Sequence, residues 1–285
     1  MTATLAQRRA LCNSIADCTI ARAILETSPL DLPEATLRCV PIVSSQLLAA
    51  AQARPDIRPL PWLLPEPWNG HLHTAPILFI GQNPSADHDE CYPTLQALLA
   101  DDGPDAVHRF FEQRFDGSEP AIKDGTRVRR ADDTWPPSGN KFLGKVRRIA
   151  ELLTPEGVTL RPGIHYALAE AVRCKSRDAE GVERAALTCA PLHLAPTLAL
   201  SGARVIVCLG GLARQAFLRA TEQPRHAELP VIEWNGRLVA FVDHPGAFGR
   251  RGHDDPAPEI LARLREALPV ERFDEAARPD TPNST

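Results

Sequence analysis

The chain has 285 residues, a net charge of −4, and 44% hydrophobic and 24% charged residues. That balance predicts a soluble globular protein of one large domain or two small ones, and excludes a protein that coats nucleic acid by bulk charge. No apolar run approaches a membrane span, the first 22 residues lack a secretory apolar core, and the seven scattered cysteines read as reduced thiols, so a cytoplasmic protein is expected.

Residues 1–27 predict a helix, with Leu5, Leu11, Ile15, Ile20 and Ile24 near one stripe, and a second helix is expected over Ser44–Ala53. Five prolines in the thirteen residues Pro55–Pro67 mark a connector. Ile77-Leu78-Phe79-Ile80, ending at Gly81, is a continuous apolar run of the kind buried on both faces of a parallel sheet. Ile164–Val172, Arg204–Leu209 and Leu238–Val242 look similar, and helical patterns lie between and beyond them at Phe142–Leu153, Ala186–Leu200, Gly211–Thr221 and Pro258–Leu268. The alternation predicts an α/β domain over residues 71–272, three α/β/α layers around a central four-stranded, mainly parallel sheet. Residues 1–70 read as a helical extension with its proline-rich connector, residues 86–140 as an insertion beside the site, and residues 273–285 as a disordered polar tail.

Ligands of open α/β sheets bind at the carboxyl ends of the strands. Three unusual clusters stand at such ends: Gly81-Gln82-Asn83-Pro84-Ser85, the segment Glu170 to Lys175, and Asp243-His244-Pro245-Gly246-Ala247-Phe248. Taken together and in this order, they resemble the uracil-DNA glycosylase superfamily. Gly81-Gln82-Asn83-Pro84 is similar to its first motif, a Gly followed two places on by Asp or Asn and then Pro; His244-Pro245 is similar to its second. The run from Arg204 to Ala213 resembles the family's penultimate strand, turn and helix, and Phe142-Leu143-Gly144-Lys145 the segment that supplies an aromatic under the base.

The resemblance implies a monofunctional DNA glycosylase. Breaking an N-glycosidic bond puts positive charge on the sugar and negative charge on the departing base, so the site needs an oriented water and hydrogen-bond donors. Asn83 would orient the water, since an amide cannot deprotonate it. His244, with backbone N–H groups after Gly81 and at Gln82, would face the base oxygen. Glu170 lies four places before Cys174, where matching Arg173-Cys174-Lys175-Ser176 to the family's Lys-Cys-Arg-Pro run places its uracil-reading Asn. A carboxylate there accepts from the N4 amine of cytosine, and if protonated donates to N3. Ser85 stands where fast uracil enzymes carry a Tyr that blocks the base's C5 side. The expected substrate is therefore a C5-modified cytosine, of a kind found in bacteriophage genomes and hence compatible with an antiviral role, or uracil in a repair role.

Phe142 would stack on the everted base and Phe248 would wedge the duplex. Arg250, Arg251, Lys175 and Lys145 would meet the DNA, with Arg173, Arg177, Lys141, Arg147 and Arg148 in the same basic groups. No cofactor is required for this chemistry. Some bacterial members hold a [4Fe–4S] cluster, and Cys174 and Cys189, with Cys12, Cys18 or Cys39, are the candidate ligands; the alternative is scattered core thiols. DNA is the expected partner of a monomeric protein. Two other functions fit the same residues: a glycosylase-like module that binds DNA without cutting it, and a small hydrolase using Ser85 with His244 as base, although the Gly-x-Ser-x-Gly elbow is missing.

Overall fold

The computed structural model describes residues 3–27, 31–53, 55–56, 60–117, 120–224, 229–244 and 255–278. Its centre is a mostly parallel sheet built from strands β1 (Ile77–Gly81), β4 (Tyr166–Glu170), β5 (Val205–Leu209), β6 (Val231–Trp234) and β7 (Arg237–Val242), in the order β4-β1-β5-β7-β6. A separate hairpin pairs β2 (Ile122–Lys123) with β3 (Arg127–Val128).

The four expected parallel strands are present, and a fifth joins them. β6 pairs antiparallel with β7 across Asn235 and Gly236, which sit at φ 50° and 69°. Two successive positive φ values make a type I′ turn, the turn that Asn-Gly favours because its twist matches that of the flanking strands. The sheet is five-stranded rather than four-stranded for this reason.

β1, β4 and β5 are buried along their whole length. Their side chains alternate between two apolar clusters. Leu78, Ile80, Ala167, Ala169, Ile206 and Cys208 face one, and Ile77, Phe79, Tyr166, Leu168, Val205 and Val207 the other. The second cluster takes Leu143, Val146, Ile149 and Leu153 from helix Lys141–Leu153, together with Leu261 and Leu264 from helix Pro258–Glu266. The first takes Phe217 from helix Gly211–Ala220 and also Cys12, Ile15, Ile42, Trp62, Leu64 and Trp68. The N-terminal segment and the proline-rich connector therefore supply core.

Four boundaries differ from the pattern reading. The first 27 residues form two helices, Leu5–Ala16 and Thr19–Glu26, broken where Asp17 closes the first turn series onto Asn13. The stretch expected as one helix over Ala186–Leu200 is helix Val182–Cys189, a π-helical turn Ala190–Leu194, and helix Ala195–Leu200. The insertion holds helix Gly103–Glu112 and the β2–β3 hairpin. Helix Val270–Ala276 continues past the expected start of the tail, because Phe273 is wholly buried and stacks edge-on against His165. Among the described residues no helix is long and apolar enough to cross a membrane.

Candidate functional site

The parallel register places Gly81, the last residue of β1, beside Glu170, the last of β4. The Glu170 carboxyl lies over the Gly81 α-carbon: a Cβ built there would come within 2.2 Å of Oε2. Gly81 is thus the residue that admits Glu170. A second glycine does the same for His244. Gly210, at φ 92°, follows β5, and a Cβ on it would stand 2.8 Å from that of His244. Both glycines close strands, and both make room for polar side chains at the same end of the sheet.

These elements surround a cavity of about 530 Å³, lined among others by Gln82, Asn83, Phe142, Glu170 and His244. Its volume is in the range of small-ligand sites. Phe142 occupies the first turn of its helix, whose N-cap Asn140 accepts from the Leu143 N–H at 3.1 Å. The Phe142 and His244 rings lie nearly parallel, 24° apart in plane and 5.9 Å between centroids. Burial, with the charge of Lys145 adding to it, pushes the His244 pKa down, which favours the neutral imidazole. Ser85 is exposed at the cavity's edge, and the insertion forms the wall beyond it through Asp87, Asp89, Arg129 and Arg130.

One wall of this cavity is a buried set of ions that no sequence pattern marks. Arg114 joins Glu66 (2.7 Å), Asn69 (2.7 Å) and Glu90. Lys175 joins Glu90 at 3.0 Å, donates to the Ser85 carbonyl at 3.2 Å, and stands 3.8 Å from the centre of the Tyr92 ring. Burial alone would raise the Glu66 pKa, but Arg114 and Lys175 outweigh it and hold the carboxyl below its usual range. Glu170 is left out of the set. Its Oε2 is buried without a hydrogen-bond partner. Burial first, and the Glu66 charge second, push its pKa well above the ordinary carboxylate value. Both effects favour the protonated acid, which has one donor and one acceptor.

A second, smaller cavity lies on the other side of the segment after β4. Cys18, Cys39, Cys174 and Cys189 line it, with Arg173 and His193. His193 Nε2 is 3.3 Å from Cys18 Sγ, and the Arg173 N–H donates to Cys189 Sγ at 3.4 Å. All seven cysteines are free, and burial pushes up the four thiols that line this cavity, Cys189 to about 11 and Cys39 to about 12. Cys12 does not line this cavity; burial first, and the Glu112 charge second, push its thiol up.

Of the expected residues, Asn83, His244, Gln82, Ser85, Phe142 and Glu170 meet at one cavity, and Gly81 lies under Glu170. Two expectations are corrected. Lys175, 2% exposed, is a buried partner of Glu90, and Arg173, fully buried, donates to backbone and Thr197 oxygens; neither belongs to an exposed basic surface. Lys145 is half-exposed near His244, Arg177 is exposed, and Arg148 pairs with Asp255. Pro245, Phe248, Arg250 and Arg251 lie outside the described residues. Among the described residues no three His, Cys, Asp or Glu side chains are grouped to hold a single metal ion. No protein-family model matches the chain, and no curated protein matches it at significant similarity.

Proposed function

We propose that this chain is a monofunctional DNA glycosylase that releases an everted base by hydrolysis and leaves an abasic site. Its substrate on this reading is a C5-modified cytosine, with uracil the second candidate. The observation that carries the reading is the meeting of Asn83, Phe142, Glu170 and His244 around one cavity of base-admitting size. The likeness to the uracil-DNA glycosylase superfamily and a three-layer form of the fold belong to the same proposal. Supporting both are apolar clusters on the two faces of the sheet and motif residues at the carboxyl ends of β1, β4 and β7.

Asn83 orients the attacking water toward the anomeric carbon, and no general base is invoked. His244, neutral, donates a hydrogen bond to the base oxygen as negative charge develops. Phe142 offers a ring face to the base. Glu170 faces its hydrogen-bonding edge. A neutral carboxyl accepts from the N4 amine of cytosine and donates to N3, which lowers the cost of releasing a poor leaving group. With its oxygens exchanged the same group accepts from N3–H of uracil and donates to O4, and this complementarity keeps uracil as the second candidate. The exposed Ser85 and the polar insertion wall leave space for a C5 substituent. Modified cytosine as substrate would give an antiviral role, uracil a repair role.

The thiol cavity matches a [4Fe–4S] cluster in donor type and number: Cys18, Cys39, Cys174 and Cys189 would hold it. Arg173 supports this, since its buried guanidinium has only neutral partners, Pro67 O, His193 O and Thr197 Oγ1. An anionic centre would compensate that charge. The cavity as it stands holds about 20 Å³, room for about one water, so its walls would move apart to admit the cluster. Bound, the cluster would supply a one-electron centre and a cross-link between the N-terminal helices and the sheet.

The test is a glycosylase screen on DNAs bearing uracil, thymine mismatches, hydroxymethylcytosine and glucosylated cytosine, with abasic sites revealed by alkali. Release from a modified-cytosine or uracil substrate, lost in Asn83→Ala, is expected; no abasic site in any of them overturns the reading. A broad visible absorbance that bleaches with dithionite would report the cluster on the same sample.

A further inference from the structure

The Asn83 side chain is held by two donations from its nitrogen. Nδ2 bonds the Ser176 hydroxyl oxygen at 2.8 Å and the Pro84 carbonyl at 2.9 Å. A carbonyl only accepts, so the nitrogen must be the atom that faces Pro84. Both amide protons are then taken by the protein. Oδ1 has no protein hydrogen-bond partner among the described residues, and Asn83 lines the cavity.

Ser176 is unusually well placed to hold this arrangement. It is 1% exposed. Its N–H donates to Pro84 O at 3.1 Å, and its carbonyl accepts from the Ala86 N–H at 3.0 Å, a parallel bridge that ties it to the motif loop. Lys175 secures the same loop one residue away, through the Ser85 carbonyl. The hydroxyl is thus fixed to the backbone that carries Asn83. The Pro84 contact is to the next residue along the chain, so it moves with Asn83; the Ser176 contact comes from 93 residues away and anchors the amide to the sheet.

We infer that Ser176 is a positioning residue: it fixes the Asn83 amide so that Oδ1, an acceptor, is the atom offered to the attacking water. The inference rests on the glycosylase reading. A water that donates to Oδ1 keeps a lone pair for the anomeric carbon. A turned amide would offer N–H instead, engage that lone pair, and leave the water misaligned. Proline or any apolar residue at position 176 would lack the anchoring oxygen.

The experiment is a double-mutant cycle on whichever substrate the wild type cleaves. Ser176→Ala should lower kcat roughly three- to tenfold, the worth of one hydrogen bond, with KM unchanged. Ser176→Cys, whose sulfur is a weak acceptor, should fall between the two and serves if the alanine variant does not fold. In an Asn83→Asp background the Ser176 hydroxyl turns and donates to the carboxylate, which holds its pKa down. Adding Ser176→Ala there should move the acid limb of the kcat–pH profile to higher pH, a shift that a merely structural role would not produce. An active wild type whose Ser176→Ala and Ser176→Cys variants keep its kcat, with no movement of that limb, overturns the positioning role alone. A wild type that releases no base from any DNA overturns this inference together with the glycosylase reading.

Discussion

Two cavities lie on either side of the segment Arg173–Ser176, and they balance charge in opposite ways. In the larger, buried ions are matched within the protein: Arg114 with Glu66 and Glu90, Lys175 with Glu90. The acid left over, Glu170, has a buried oxygen without a hydrogen-bond partner and a raised pKa that favours its protonated form. In the smaller, four uncharged thiols face Arg173, which has no carboxylate partner among the described residues. Removing an ion from water costs several kcal/mol, and an opposite charge must offset it. The polar cavity needs no charged ligand for balance and suits a neutral base. In the thiol cavity Arg173 feels the Glu170 and Glu66 charges without pairing with either, and the proposed occupant is correspondingly an anionic metal–thiolate centre.

The comparison breaks most visibly at Arg114. Arg114→Met would leave Glu66 buried without its guanidinium and Glu90 with Lys175 alone, at a cost of about 3–5 kcal/mol in urea unfolding. A loss below about 1 kcal/mol would show that the buried pairs are not balancing one another. Arg173→Met is the control on the opposite side. In chelator-treated protein it removes a charge that had no partner, so its cost should fall clearly short of that at Arg114. After reconstitution with iron and sulfide the substitution should become costlier, because the guanidinium then has an anion to face. Equal Tm changes with and without reconstitution would remove the case for a charged centre beside Arg173.

How much of this was legible beforehand follows from which contacts are local. The four parallel strands were readable because burial on both faces leaves continuous apolar runs. The fifth was not recognised, although Asn235-Gly236 is a hairpin signal lying before Leu238. Asn83, His244 and Glu170 were accessible because each ends a strand and sits in a short motif. Glu66, Asn69, Glu90 and Arg114 were not: Glu66 sits in a proline-rich connector and Arg114 beyond the helix of an insertion, and only the folded chain brings them together. The burial of Lys175 is hidden in the sequence for the same reason. A lysine between two basic neighbours resembles a phosphate contact until Glu90, 85 residues away, is seen to bury it. Ser176 was invisible for its part, because its partner is reached across 93 residues.

The unpaired acid gives an effect of intermediate size that is visible in pH. Because the folded-state pKa of Glu170 is raised, the folded chain holds a proton that the unfolded chain releases. Stability should therefore decline as pH rises from the ordinary carboxylate range toward the raised value, by at most about 1.4 kcal/mol per pH unit. Glu170→Gln keeps the shape and removes the titration, so the variant should match wild type in acid and exceed it at higher pH. Parallel stability–pH curves for the two would show that Glu170 is ionised and paired after all. Activity should move as well. Once ionised, Glu170 offers two acceptors: it can still take the N4 amine of cytosine or N3–H of uracil, but has no donor for N3 of the one or O4 of the other. Release of a cytosine-type base, the poorer leaving group, should fall with rising pH more steeply than release of uracil.

The smallest effect concerns the aromatic wall. Asn140 caps helix Lys141–Leu153 through the Leu143 N–H, two residues from Phe142. Asn140→Ala should cost about 1 kcal/mol of stability, as loss of an N-cap does. It should also fray the turn that holds the Phe142 ring nearly parallel to His244. The two ends of the site would then respond differently. Asn83 and Glu170 stand at the ends of buried strands and keep their places, so the chemical step is preserved. The stacking surface loosens, and an everted base would be held less well. KM should rise severalfold while kcat holds, the converse of the split expected at Ser176. A fall in kcat with KM unchanged would instead assign Phe142 to the bond-breaking step.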